Sequence, residues 1–336
     1  MLPCKKELRS YSLGLGVCFL LSALGSGLAQ DTLWQEKMDR GHRLREQGCY
    51  EEAEKTYLAA LAQAQELGPE DSRLAESLNA LAVIYVKKGR YAEAEPLFRR
   101  ALAIAEKALD PEDFRLADIL NNFGELCRTQ GRYTEAEPLL QHSLAIRQNL
   151  GSNQPAVAQS LNNLATLYYA QGKYADAEGF YQRSLSIRKK FLGPEHQEVA
   201  NSMNNLGQLS HQLGRFAEAE AWLQRAISIL EKAPGAEPLS LATVLNNLAS
   251  LYQDEGRNPK AEQLYERSLI IRNQLLGTDH PDVGAVHNNL GTLYQNEQKY
   301  DKAERSYRQA LAICEKTLGP EHPAVAKSLS NLAQLT

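Results

Sequence analysis

The chain is 336 residues long, 43% hydrophobic and 23% charged, and its 37 basic and 41 acidic side chains leave a formal net charge of −4 at pH 7. That mildly acidic balance, with no basic tract, argues against a nucleic-acid partner, and 22 Gly and 13 Pro are too few for a disordered chain of this length. Two ordinary domains would fit by length, but a repeat at nearly constant spacing describes one elongated domain over residues 30–336 instead.

Residues 1–29 differ in kind. Lys5, Lys6 and Arg9 precede a mostly apolar run from Leu13 to Leu24, and small residues follow at Gly27 and Ala29. This is the layout of a secretory signal peptide, with cleavage expected after Ala29 and Gln30 first in the exported, periplasmic or secreted chain. An uncleaved membrane anchor is the alternative, but its apolar core of roughly a dozen residues is short against the ~20 needed to span a bilayer. No membrane contact beyond the export signal is expected. Cleavage would leave Cys49, Cys127 and Cys314. Cys49 and Cys127 lie about two repeats apart, too far for a disulfide that needs Cα atoms within ~7 Å. Cys127 takes a slot filled by tyrosine in most copies and reads as a small core residue, whereas Cys49 belongs to an exposed turn.

From Asp31 to Gln47 a helix with sparse apolar positions (Leu33, Trp34, Met38, Leu44) leads into Gly48-Cys49-Tyr50-Glu51-Glu52-Ala53-Glu54. The pattern returns from Gly89, Gly131, Gly172, Gly214 and Gly256, at intervals of 41 or 42 residues; in the seventh copy Gln298 takes the glycine position, and Thr336 falls inside the first helix of an eighth. Leu161, Leu164, Ala165 and Tyr168 share one face of a first helix at i, i+3, i+4 and i+7. The glycine ends that helix, because a left-handed C′ residue is cheap only for Gly. A basic residue follows in six copies (Arg90, Arg132, Lys173, Arg215, Arg257, Lys299), near the negative end of the helix dipole. Acidic residues open the second helix, and Asn258-Pro259 marks the same start independently. Small residues such as Ala177 let the two helices approach, with a large one such as Tyr181 beside them. Pro96 and Pro138, about one turn inside a second helix, are expected to weaken its start.

The arrangement resembles the tetratricopeptide repeat over nearly the whole chain after residue 30. Leu161, Leu164, Ala165 and Tyr168 correspond to that family's first-helix residues, and Ala177, Tyr181 and Ser184 to its second-helix residues. The period is longer than the family's usual ~34 residues, and the strings Leu-Asn-Asn-Leu-Ala and Leu-Gly-Pro-Glu-His resemble the kinesin light chain subclass. The resemblance implies an all-α fold, a right-handed α-solenoid of stacked helix-turn-helix repeats, that binds proteins rather than performing chemistry.

Paired asparagines recur at the same first-helix position: Asn121-Asn122, Asn162-Asn163, Asn204-Asn205, Asn246-Asn247 and Asn288-Asn289, with Asn79 and Asn331 as single members. At 100° per residue they fall opposite the packed leucines, on faces that stacking would assemble into a concave groove. An amide supplies both a donor and an acceptor, as an extended peptide backbone requires. One asparagine of each pair could instead bond the neighbouring repeat; the first is expected to face the groove. The candidate groove residues are Asn79, Asn121, Arg128, Asn162, Thr166, Tyr169, Asn204, Gln208, His211, Asn246, Gln253, Asn288 and Gln295. Charge among them is sparse, so the carboxylate clamp of some members of the resembled family is not reproduced, and an internal extended segment is the expected ligand.

His196, His280 and His322 occupy one turn position in different copies and form a row rather than a metal cage; His287 reads as a partly buried packing residue. No HExxH, P-loop, nucleophile elbow or paired CxxC occurs. The expectation is an exported, non-enzymatic adapter or assembly factor with a protein or peptide partner and no cofactor or metal. The competing expectation is a structural solenoid that self-associates through its ends, because Leu329, Leu332 and Ala333 keep the last helix apolar.

Overall fold

The computed structural model describes residues 22–151, 154–233, 235, 237–319 and 322–335. Residues 1–21, most of the expected leader, lie outside it. Among the described residues there are fifteen helices and no strand: α1 (Ser22–Glu46), α2 (Tyr50–Glu66), α3 (Ser72–Lys87), α4 (Tyr91–Ala108), α5 (Phe114–Thr129), α6 (Tyr133–Leu150), α7 (Gln154–Ala170), α8 (Tyr174–Leu192), α9 (Gln197–Gln212), α10 (Phe216–Lys232), α11 (Pro238–Asp254), α12 (Asn258–Leu276), α13 (Pro281–Asn296), α14 (Tyr300–Leu318) and α15 (Pro323–Ala333). They fall into two compact units divided after Asp110. The first holds the pairs α1/α2 and α3/α4. The second holds α5/α6, α7/α8, α9/α10, α11/α12 and α13/α14, stacked in chain order, with α15 against α14.

Each pair is made by its turn. Gly48, Gly89, Gly131, Gly172, Gly214 and Gly256 all have φ between 72° and 75°. In this left-handed conformation the next backbone N–H reaches back five residues, as from Arg257 to the Tyr252 carbonyl at 2.7 Å and from Lys173 to Tyr168 at 2.8 Å. Two carbonyls the helix would otherwise leave open are thereby satisfied, and the chain reverses within three residues. Gln298, the seventh-copy exception, adopts the same conformation at φ 60° and is the one non-glycine with positive φ among the described residues.

The packed faces follow the expected periodicity. Leu161 and Ala165 are fully buried and Leu164 nearly so, against Ala177 and Tyr181 of the paired helix. Where the first helix carries glycine the approach is closer still: a Cβ at Gly291 would stand 2.5 Å from the Tyr307 ring. Pro96 and Pro138 do not interrupt their helices; α4 and α6 run through them unbroken. Cys127 and Cys314 are buried and Cys49 is half-buried.

Two sets of residues do more than the sequence suggests. The basic residue after the turn reaches the preceding pair in several copies: Arg215 lies 2.9 Å from Glu178, Arg257 2.8 Å from Glu220, Lys173 3.7 Å from Glu137, and in the first unit Arg90 lies 2.9 Å from Glu54. The first-helix tyrosines join the same carboxylates, Tyr252 donating to Glu220 at 2.6 Å and Tyr294 to Glu262 at 2.7 Å. These residues therefore tie copy to copy, in addition to facing a helix dipole. His196 and His322 are exposed and His280 is half-buried, but each is also the N-cap of the following helix, its Nδ1 accepting the N–H two residues on at 3.1–3.2 Å. Asp71 and Asp113 cap α3 and α5 in the same way.

Replacing Gln298 with Gly removes the side-chain penalty of the left-handed turn and should raise stability by about 1 kcal/mol, read from the urea midpoint. The copy-to-copy carboxylates set an acid limit. The Arg257 guanidinium holds the Glu220 carboxyl below the usual carboxylate range, and the Tyr294 hydroxyl does the same for Glu262. A depressed folded pKa stabilises above the unfolded value of about 4.3 and is lost as pH falls through the folded value. The melting temperature should thus be level near neutrality and drop below about pH 4.3, with a shallower drop in Glu220→Gln.

Candidate functional site

The first helices of the second unit lie side by side, and the residues on their common face divide into two classes. One is consumed by the scaffold. Asn163 Nδ2 donates to Asn121 Oδ1 at 3.0 Å, Asn205 to Asn162 at 2.9 Å, Asn247 to Asn204 at 2.8 Å and Asn289 to Asn246 at 3.1 Å. The second asparagine of one copy thus donates to the first of the copy before it. The last link substitutes a hydroxyl, Asn288 Nδ2 donating to Ser328 Oγ at 2.9 Å. Asn121, Asn204 and Asn288 are 2%, 8% and 5% exposed, and Asn162 and Asn246 are half-buried. The first asparagine, expected to face a groove, is thus bonded to the neighbouring copy. The position faces the neighbouring first helix, where an amide can both accept and donate across the gap.

Other expected groove residues are also engaged. Thr166 Oγ1 lies 3.0 Å from the Tyr181 hydroxyl, which comes through from the second helix; Gln253 accepts from Tyr265 at 3.1 Å and Gln295 from Tyr307 at 2.8 Å. Burial pushes the Tyr181 hydroxyl up to about 12, so it remains a neutral donor. Arg128 bridges Glu125 one turn earlier on its own helix at 3.1 Å. Asn79 is half-buried on α3 and belongs to the first unit.

The second class converges. Tyr169 of α7, Gln208 and His211 of α9, Phe216 at the start of α10, and Asn247, Ser250 and Asp254 of α11 line an open cleft of ≈ 670 Å³. His211 Nε2 and Asp254 Oδ2 are 2.8 Å apart. The His211 and Phe216 ring centroids are 5.9 Å apart, and those of Tyr169 and Tyr174 5.7 Å. Burial raises the Tyr169 hydroxyl above its ordinary value. A smaller cleft of ≈ 240 Å³ adjoins Asn201, Asn205, Ser240 and Thr243 on the same face. Of the thirteen expected residues, three therefore meet in one cleft: Tyr169, Gln208 and His211.

Sequence reasoning missed a buried cationic layer behind this face. Arg147 donates to Ser160 Oγ at 2.7 Å and to Asp118 at 2.6 Å; Arg188 donates to Ser202 Oγ at 2.8 Å and pairs with Glu198 at 2.8 Å; Arg272 pairs with Asp282 at 2.8 Å. Four residues before each arginine a buried serine, Ser143, Ser184 or Ser268, donates to a carbonyl of the preceding first helix at 2.7–2.8 Å. The signal was present as Ser-Leu-X-Ile-Arg in those three copies. A carboxylate compensates the charge of each of these buried arginines, and removing it would leave that charge unpaired; Arg147 Nε itself has no hydrogen-bond partner among the described residues. Among the described residues no group of three or more His, Cys, Asp or Glu could hold a metal ion, and no helix is long and apolar enough to cross a membrane.

A family model for the tetratricopeptide repeat matches residues 37–107, 115–190, 158–232, 240–299 and 283–336. Similar solved structures include BtubC (BKLC) from P. vanneervenii, 28% identical over 68% of this chain and 92% of that one with a TM-score of 0.55. A variant of the nearly identical TPR-like repeats of a kinesin light chain candidate from Podosopora anserina is 26% identical over 60% of this chain and 96% of that one, at 0.50. The apo form of RapI shares the fold at 15% identity, covering 84% and 98% with a TM-score of 0.64. No curated protein matches the sequence.

The two classes should separate in a stability measurement. Asn204→Ala removes the acceptor of Asn247 and should cost on the order of 1–2 kcal/mol by urea denaturation, whereas Gln208→Ala should stay within about 0.5 kcal/mol of the unaltered chain.

Proposed function

The chain belongs to the tetratricopeptide repeat family, whose fold is typical of protein–protein interaction scaffolds, and on that premise we propose that it is an exported, non-enzymatic adapter holding an extended segment of a partner protein across the first-helix face of its second unit. The observation that carries this reading is the division of polar groups on that face. Most are spent on neighbouring copies or within their own, yet the side chains of Tyr169 and Gln208 form no hydrogen bond among the described residues and meet His211 and Asp254 in one open cleft. An extended backbone has unpaired donors and acceptors of its own, and amide and hydroxyl groups on a preorganised surface suit it without a large ordering cost on the scaffold side. The row of asparagines supports the reading indirectly, by holding the first helices in a fixed register beneath the cleft. Export rests on the basic, apolar and small-residue layout of residues 1–29.

A photo-crosslinking side chain placed at Gln208 should capture a partner from the native cell, while the same group at Gln182, exposed on the second-helix side, should not. Equal capture at both positions, or capture from Gln182 alone, would move the binding surface away from the cleft. Expression in export-competent cells followed by N-terminal sequencing should give Gln30 first; an intact Met1 would remove export from the proposal.

A further inference from the structure

Among the residues that converge in the cleft one carries a carboxylate, Asp254. Carboxylates along the same face are held by guanidinium groups: Asp118 by Arg147, Glu198 by Arg188 and Asp282 by Arg272. Asp254 differs. It is about as exposed as Asp282, but its hydrogen-bond partner is the ring nitrogen of His211 and not a guanidinium. It is also the last residue of α11, where the helix dipole disfavours negative charge, so its carboxylate is not placed there for the helix. Around it stand acceptors and rings: the Gln208 amide, the Asn247 carbonyl oxygen left over once Nδ2 is bound to Asn204, and the aromatic faces of Tyr169 and Phe216.

We propose that this cleft takes an arginine side chain of the bound segment, its guanidinium paired with Asp254 and its plane against Tyr169 or Phe216. The assignment rests on the groove reading above and adds the chemistry of the residue recognised. A guanidinium offers five donors in a flat fork, which suits a carboxylate flanked by amide oxygens, and its weakly hydrated faces stack on aromatic rings. A lysine ammonium meets the carboxylate but not the rings in the same way. An acidic or wholly apolar side chain would leave Asp254 facing like charge or a desolvated wall.

The test uses the full chain. Random dodecamer peptides displayed on phage are selected against it, and the enriched peptides are measured by fluorescence anisotropy against the unaltered chain, Asp254→Asn, and a Tyr169→Ala/Gln208→Ala double variant. Enriched peptides should share an arginine. Its replacement by citrulline should weaken binding about tenfold or more, Asp254→Asn should weaken it by a similar factor, and the two changes together should cost no more than either alone, as for a direct pair. Asp254→Asn should melt at the same temperature or higher, because it relieves the end of α11, so lost binding cannot be lost folding. Peptides that need Tyr169 and Gln208 yet ignore citrulline and Asp254→Asn would overturn the arginine assignment and leave the groove reading standing. Peptides indifferent to all three positions, or no enrichment at all, would overturn both.

Discussion

A helix pair reversed through one left-handed residue cannot bury its apolar stripe alone, and the architecture depends on that constraint. The turn at Gly89, Gly172 or Gly256 satisfies the carbonyls at the end of the first helix and lays the second against it, yet the outer flank of each pair still needs a neighbour. Because the turn is the same in each copy, the neighbour presents itself in the same register. Gln298 shows how firmly: the backbone keeps the turn even where a side chain makes it unfavourable.

Stacking brings polar groups together as well as apolar ones, and the chain spends most of them on cohesion. Asparagine bonds asparagine between adjacent first helices, glutamate in one second helix takes the basic residue and tyrosine of the next copy, and buried arginines with their serines close the inner seam. Each bond contributes modestly, but leaving its partner unpaired inside the stack is costly. The result is a scaffold whose repeat-to-repeat contacts carry polar specificity along with hydrophobic burial.

Against that background the cleft at Tyr169, Gln208, His211 and Asp254 stands out by subtraction. Copy for copy, the first-helix face is built to satisfy itself. Here the Tyr169 and Gln208 side chains are left over beside the His211–Asp254 pair, and a carboxylate occupies the last residue of α11, where the helix dipole disfavours it. The differences between copies, more than the shared residues, are what set this cleft apart, and the proposed binding site rests on them.

Much of this was legible in the residues. The all-α class, the 41- or 42-residue unit, the helix ends at each glycine and the buried stripe through Leu161, Leu164 and Ala165 all follow from local rules: 3.6-residue periodicity, the left-handed freedom of glycine, and capping. The fate of the polar residues did not. Asn162 and Asn204 look like open recognition groups by helical angle, but their partners lie 43 residues away at Asn205 and Asn247, and a sequence states the slot of a side chain without the distance to its neighbour. The same limit hid Arg147, Arg188 and Arg272, whose charge suggests a surface until the packing of two first helices buries it. Sequence determined the unit and its repetition, because those are set within a few residues; only the stacked tertiary structure decided which polar groups are spent on the scaffold and which are left over.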